Sequence, residues 1–108
     1  HYVPTLGLRF ERADGSRAMA YSCDTEPCQA VINLASGADV LIHEASGAGP
    51  GHSSASQAGG IARQAEVGRL LLIHYPTRDP EPETLVEEAR TTFPGEVGLA
   101  TDFMELEL

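Results

Sequence analysis

Apolar and polar positions along the chain divide it into short alternating elements. Val3–Glu11 and Arg17–Ser22 read as two strands, and the Ala13-Asp14-Gly15-Ser16 turn between them favours a hairpin. Gln29–Ser36 places Val31, Ile32, Leu34 and Ala35 at the spacing of a short amphipathic helix, with Gly37 to end it. Val40-Leu41-Ile42 is a continuous apolar run, as expected of a strand covered on both faces. A loop of small residues, Ala45–Gly51, leads to a second helix over about Ser54–Ala65, where Ser54 and Gln57 have the spacing of a capping box. Leu70-Leu71-Leu72-Ile73 is the next buried strand, and Asp79-Pro80 begins a third helix through about Thr92. Val97–Ala100 and Phe103–Leu108 are expected to close the chain as strands. The order β-β-α-β-α-β-α-β-β predicts an α/β fold, a sheet with helices packed against it.

Composition changes this picture little. The chain has 108 residues, enough for one small domain, and 42% hydrophobic with 21% charged residues is ordinary globular composition. No run approaches the roughly 18 apolar residues of a membrane span. The net charge of -9 makes this segment by itself a poor match for a phosphate backbone. Cys23 and Cys28 have neither CxxC spacing nor the number needed for a disulfide framework, and are expected to be reduced thiols of a cytoplasmic protein. The chain opens on His1 rather than Met and runs at once into strand-like sequence, so it is expected to be a piece of a longer protein.

The polar residues at strand ends carry the chemistry. His43 and His74 each follow an apolar strand, and Asp24 follows Arg17–Ser22. In open α/β sheets ligands gather where strand C-termini converge. One histidine so placed is more often structural, but three polar residues repeating the placement favour a site. His and Asp are also donors that a metal of the zinc class prefers.

The local strings sharpen this. His1-Tyr-Val-Pro-Thr-Leu-Gly-Leu-Arg-Phe, Tyr21-Ser-Cys-Asp24-Thr, Leu41-Ile-His43-Glu44-Ala-Ser, His52-Ser-Ser-Ala and Leu72-Ile-His74 occur in this order. Together they resemble the later motifs of ribonuclease Z and related phosphodiesterases of the metallo-β-lactamase fold. The His43-Glu44-Ala-Ser string followed by His52-Ser-Ser is the most specific part. The resemblance implies that residues 1–108 are the C-terminal half of such a domain. That half of the αββα sandwich is one mixed sheet with helices on its outer face. It implies His1 and His74 as ligands to two different metals and Asp24 as the carboxylate bridging them. The metals would be two divalent ions, zinc or alternatively manganese, that activate water for attack on phosphorus. It further implies that Glu44 orients His52 beside the scissile phosphate. Imidazole changes protonation near neutral pH and can stabilise charge or protonate the leaving oxygen there. His43 is expected to be structural. Asp102 matches a position that could support a ligand histidine or simply belong to a turn, and Tyr75 could line the pocket or pack.

The chain also departs from that pattern. The family's clustered His-x-His-x-Asp-His is absent, so an N-terminal half carrying it is the implied partner, in the same protein or a separate chain. Alone, these 108 residues are expected to bind metal weakly and catalyse poorly, with a bare inner sheet face that invites self-association into a homo-oligomer. The stretch Glu11–Arg17 is shorter than the insertion usual in transfer-RNA-processing members, and Tyr75-Pro-Thr-Arg78-Asp79 stands where they usually have a Ser-x-Arg-Tyr-like string. A general phosphodiester or other ester is therefore preferred to transfer RNA, with RNA still possible. The competing class is a non-catalytic binding or assembly module that keeps the fold. Serine nucleophilic catalysis is disfavoured, because Ser53 and Ser54 are too close in sequence to His52 for the required hydrogen bond.

Overall fold

The computed structural model describes residues 5–78 and 81–108. Five strands form one sheet in the order β1-β2-β3-β4-β5. They are β1 (Leu8–Glu11), β2 (Ala18–Tyr21), β3 (Val40–Glu44), β4 (Arg69–Ile73) and β5 (Glu96–Leu99). β1 pairs antiparallel with β2, and β2 through β5 run parallel. The helices α1 (Gln29–Ala35), α2 (Ala55–Ala65) and α3 (Pro82–Arg90) fill the three crossovers. Because the parallel strands follow one another in sequence order, right-handed crossovers place all three helices on the same face. The expected mixed sheet with helices on one side is what forms.

The hairpin closes as its sequence suggests. Gly15 takes φ 74°, and the Arg12 amide donates to Arg17 O at 3.0 Å. The Ser16 hydroxyl and amide both donate to Asp14 Oδ1 and hold its carboxyl below the usual range. α2 begins with a complete capping box: the Gln57 amide donates to Ser54 Oγ at 3.1 Å, and the Ser54 amide to Gln57 Oε1 at 2.8 Å. The third helix starts at Pro82 with Glu81 as its N-cap; the expected start at Asp79-Pro80 lies outside the described residues. The expected first strand reached back to Val3, also outside them, and pairing begins only at Leu8.

The core lies between sheet and helices. Leu41, Leu70 and Leu72 from the sheet meet Ala35, Ala58, Ala62, Leu85 and Ala89 from the helices, all buried. Small helix residues let the backbones approach closely. Gly59 of α2 is the extreme case, since a Cβ there would collide with the Thr92 hydroxyl and the Ala89 carbonyl.

One expected element does not form. Phe103–Leu108 is not a strand: a turn closed by the Met104 amide on Thr101 O, with Phe103 at φ 62°, redirects the chain away from the edge of β5. The segment instead runs back toward the N-terminal ends of the strands. There Glu105–Glu107 line a cleft of about 390 Å³ with Val40, Gly68 and Arg69, and Leu108 O accepts from Arg12 Nε. The alternation of Leu106 and Leu108 with glutamates is genuine, but it half-buries apolar side chains without ladder bonds. The helix-free face is thus not bare throughout. Val40 and Leu71 on it are buried, whereas Leu6, Leu8 and Phe10 are exposed at its β1 edge.

Replacing Gly59 with Ala should destabilise the fold by about 1–3 kcal/mol, because the added methyl meets backbone that cannot withdraw. A urea midpoint that did not fall would show that α2 and α3 separate freely.

Candidate metal centre

The loops leaving the C-terminal ends of β2, β3 and β4 converge at one end of the sheet, and Glu44 is where the first two meet. It is the last residue of β3 and is completely buried. A carboxylate without water needs donors, since an uncompensated buried charge is strongly destabilising. Glu44 Oε1 accepts from the Ser53 amide at 2.7 Å and the Thr25 amide at 3.4 Å. Oε2 accepts from the Ser46 amide at 2.9 Å and the Ser46 hydroxyl at 2.8 Å. His52 Nδ1 lies 3.3 Å from Oε1. Ser53 is buried as well, and its hydroxyl donates to Thr25 O at 2.6 Å, tying two of the loops directly to each other. The 45–53 loop can fold back because Gly47 and Gly51 adopt φ 131° and 78°.

His52 is thereby held with one ring nitrogen toward Glu44. Its ring centroid lies 6.0 Å from that of His74, which follows β4. His74 Nε2 in turn lies 3.7 Å from Asp24 Oδ2, in the loop after β2. Asp24, His52 and His74 each offer a donor atom within 4.8 Å of one another. Two imidazoles and a carboxylate are the donor set of a zinc-class cation, so these residues fit one. Asp24 and His74 are half-exposed, leaving the cluster open on one side.

Backbone strain marks the same place. Among the described residues only four non-glycine positions have positive φ, and two are Cys23 at 57°, just before Asp24, and His74 at 54°. Such conformations persist where the surroundings over-determine them, and they gather at functional sites.

The structure therefore brings together Asp24, His74, His52 and Glu44. His1 lies outside the described residues. The sequence alone implies a place for His52 beside the phosphate, and nothing in the His52-Ser-Ser string announces its approach to His74. The approach follows from the loop closing on Glu44, eight positions earlier in the chain. His43 points the other way, fully buried on the helix side of β3 with Nδ1 2.9 Å from Glu44 O. Its Nε2 has no hydrogen-bond partner among the described residues, and burial lowers its pKa below 6.5. Asp102 is exposed and lines a cleft of about 380 Å³ with His74, Tyr75 and Thr101, and among the described residues it forms no ion pair with a histidine. Cys23 and Cys28 are both free thiols. No helix among the described residues is long and apolar enough to cross a membrane.

A family model described as a Beta-lactamase superfamily domain matches residues 1–75. A ribonuclease Z of Methanothermobacter thermautotrophicus is 43% identical over 98 residues, which are 83% of this chain and 32% of the relative. A ribonuclease BN of Escherichia coli O1:K1 is 40% identical over 97 residues, again covering 32% of that protein. The chain thus spans about a third of the length of the curated relatives it matches. Among solved structures, the metallo-β-lactamase fold protein YhfI from Bacillus subtilis superposes with a TM-score of 0.74 at 35% identity, over 82% of this chain and 39% of that one. The short form of human tRNase Z gives 0.70 at 26% identity, over 96% and 38%.

Two outcomes follow from the buried groups. Glu44→Ala orphans three backbone amides at once and should cost about 3 kcal/mol or more, read as a lowered urea midpoint. For His43, the unfolded chain binds the proton more readily than the folded one. Its contribution is therefore complete above about pH 6.5 and is lost as the pH falls below that value. His43→Leu should flatten the acid limb of stability against pH, and an unchanged limb would exclude His43 as its source.

Proposed function

The chain belongs to the β-lactamase superfamily domain family, and on that footing we propose that it supplies part of the active site of a divalent-metal phosphodiesterase acting on RNA. The observation that carries this reading is the convergence of Asp24, His52 and His74 to within 4.8 Å at the C-terminal ends of successive parallel strands. The relatives named ribonuclease Z, ribonuclease BN and tRNase Z support RNA as the substrate class. The metallo-β-lactamase fold implies a divalent metal, and the mixed nitrogen and oxygen donors suit zinc, with manganese as the alternative.

Asp24 and His74 are proposed to hold the cations, with Asp24 bridging two of them. His1 and a segment carrying the clustered histidine motif would complete the donor set. When bound, a divalent cation supplies Lewis acidity toward a phosphoryl oxygen and toward water. The remaining work falls to this chain's own side chains. The Asp24 carboxylate offsets positive charge at the open side of the cluster. Glu44 Oε1 lies 3.3 Å from His52 Nδ1 and orients the ring. From there His52 is proposed to deliver a proton to the departing oxygen of the substrate, a role that suits imidazole at neutral pH.

The net charge of -9 leaves the attraction of a polyanionic substrate to another part of the protein. In the full-length protein, Asp24→Ala should lose bound metal, measured by elemental analysis, and lower turnover of a bis(nitrophenyl) phosphate ester at least a hundredfold. Full metal content and full turnover in that variant would overturn this reading of the site.

A further inference from the structure

His74 is held in a conformation that its own strand does not dictate. Successive side chains of an extended strand alternate between faces. Leu70 and Leu72 join the core on the helix side, so an uninterrupted β4 would send His74 there and Tyr75 to the opposite face. The reverse is observed. Tyr75 packs against the core cluster, and His74 is exposed beside Asp24.

The reversal takes place at His74 itself, whose φ of 54° is left-handed. For a non-glycine residue this conformation is strained, so something must hold it. On the N-terminal side the hold is the sheet: Ile73 O accepts from the Ala45 amide at 2.9 Å, and Leu72 O from the Ala100 amide at 2.9 Å. On the C-terminal side it is a side chain, because Tyr75 donates its hydroxyl to Ala100 O at 2.7 Å. Ala100 therefore grips the chain on both sides of His74, with its amide before and its carbonyl after.

We infer that Tyr75 is a positioning residue for His74, its hydroxyl and core-packed ring locking the left-handed turn that aims the imidazole at Asp24. The inference rests on the reading of Asp24 and His74 as donors to a divalent cation. The Tyr75 hydroxyl is bonded to Ala100 O, and the residue acts through the backbone.

Zn²⁺ titration of the metal-stripped full-length protein tests this. Supporting partners of metal-ligating histidines are typically worth 10–100-fold in affinity. Tyr75→Phe, which keeps the ring, should weaken Zn²⁺ binding about tenfold and should cost nothing further in a His74→Ala background. In the metal-free protein its His74 backbone amide should pass from one resonance to exchange-broadened signal, which a general loss of packing would not confine to that loop. If Tyr75→Phe folds poorly, Tyr75→Met keeps an apolar side chain against the core and lacks the hydroxyl equally. Unchanged Zn²⁺ affinity in these variants, with affinity reduced in Asp24→Ala, overturns the role of Tyr75 alone. Unchanged affinity in Asp24→Ala as well overturns the metal reading, and this inference with it.

Discussion

A carboxylate sealed at the end of a strand constrains everything around it. Glu44 sits where water cannot reach, so each of its lone pairs must be met by protein. It is met by three amides from the loops after β2 and β3, at Thr25, Ser46 and Ser53, and the His52 ring approaches one of its oxygens to 3.3 Å. The loops after β2 and β3 consequently have one arrangement in which the charge is satisfied, and that arrangement delivers Asp24 and His52 to the same small volume. Placement of the donors is a by-product of solvating an ion.

Much of this architecture is written in local chemistry. The Asp-Gly turn, the Ser54–Gln57 box and the apolar runs of β3 and β4 each encode their element within a few residues, and each formed. The expected strand at the C-terminus did not, because alternation specifies which side chains are covered and says nothing of whether the backbone finds a ladder partner. Leu106 finds cover in a cleft beside Val40, while the turn at Thr101 has already carried the chain off the sheet edge.

The candidate site is legible in its residues more than in its geometry. Asp24 and His74 were recognisable from their position after apolar strands, and Glu44 with His52 from their strings. The proximity of His52 to His74 was not, since it depends on a long-range closure over Glu44. Nor were the positive φ values at Cys23 and His74, because neither residue type asks for that conformation. His1 lies outside the described residues. The helix layer, by contrast, follows directly from strand order: a sheet built in sequence by right-handed crossovers has no choice of face.

On the proposed metal reading, the left-handed backbone at His74 also sets selection for stability against selection for chemistry at a single codon. Glycine, and to a lesser degree asparagine, would ease that φ, and both would discard the imidazole. A lineage released from the need for a metal should therefore drift there first, gaining stability as it loses the site. Retention of histidine at this position is for that reason a more sensitive record of continuing catalysis than retention of the surrounding fold.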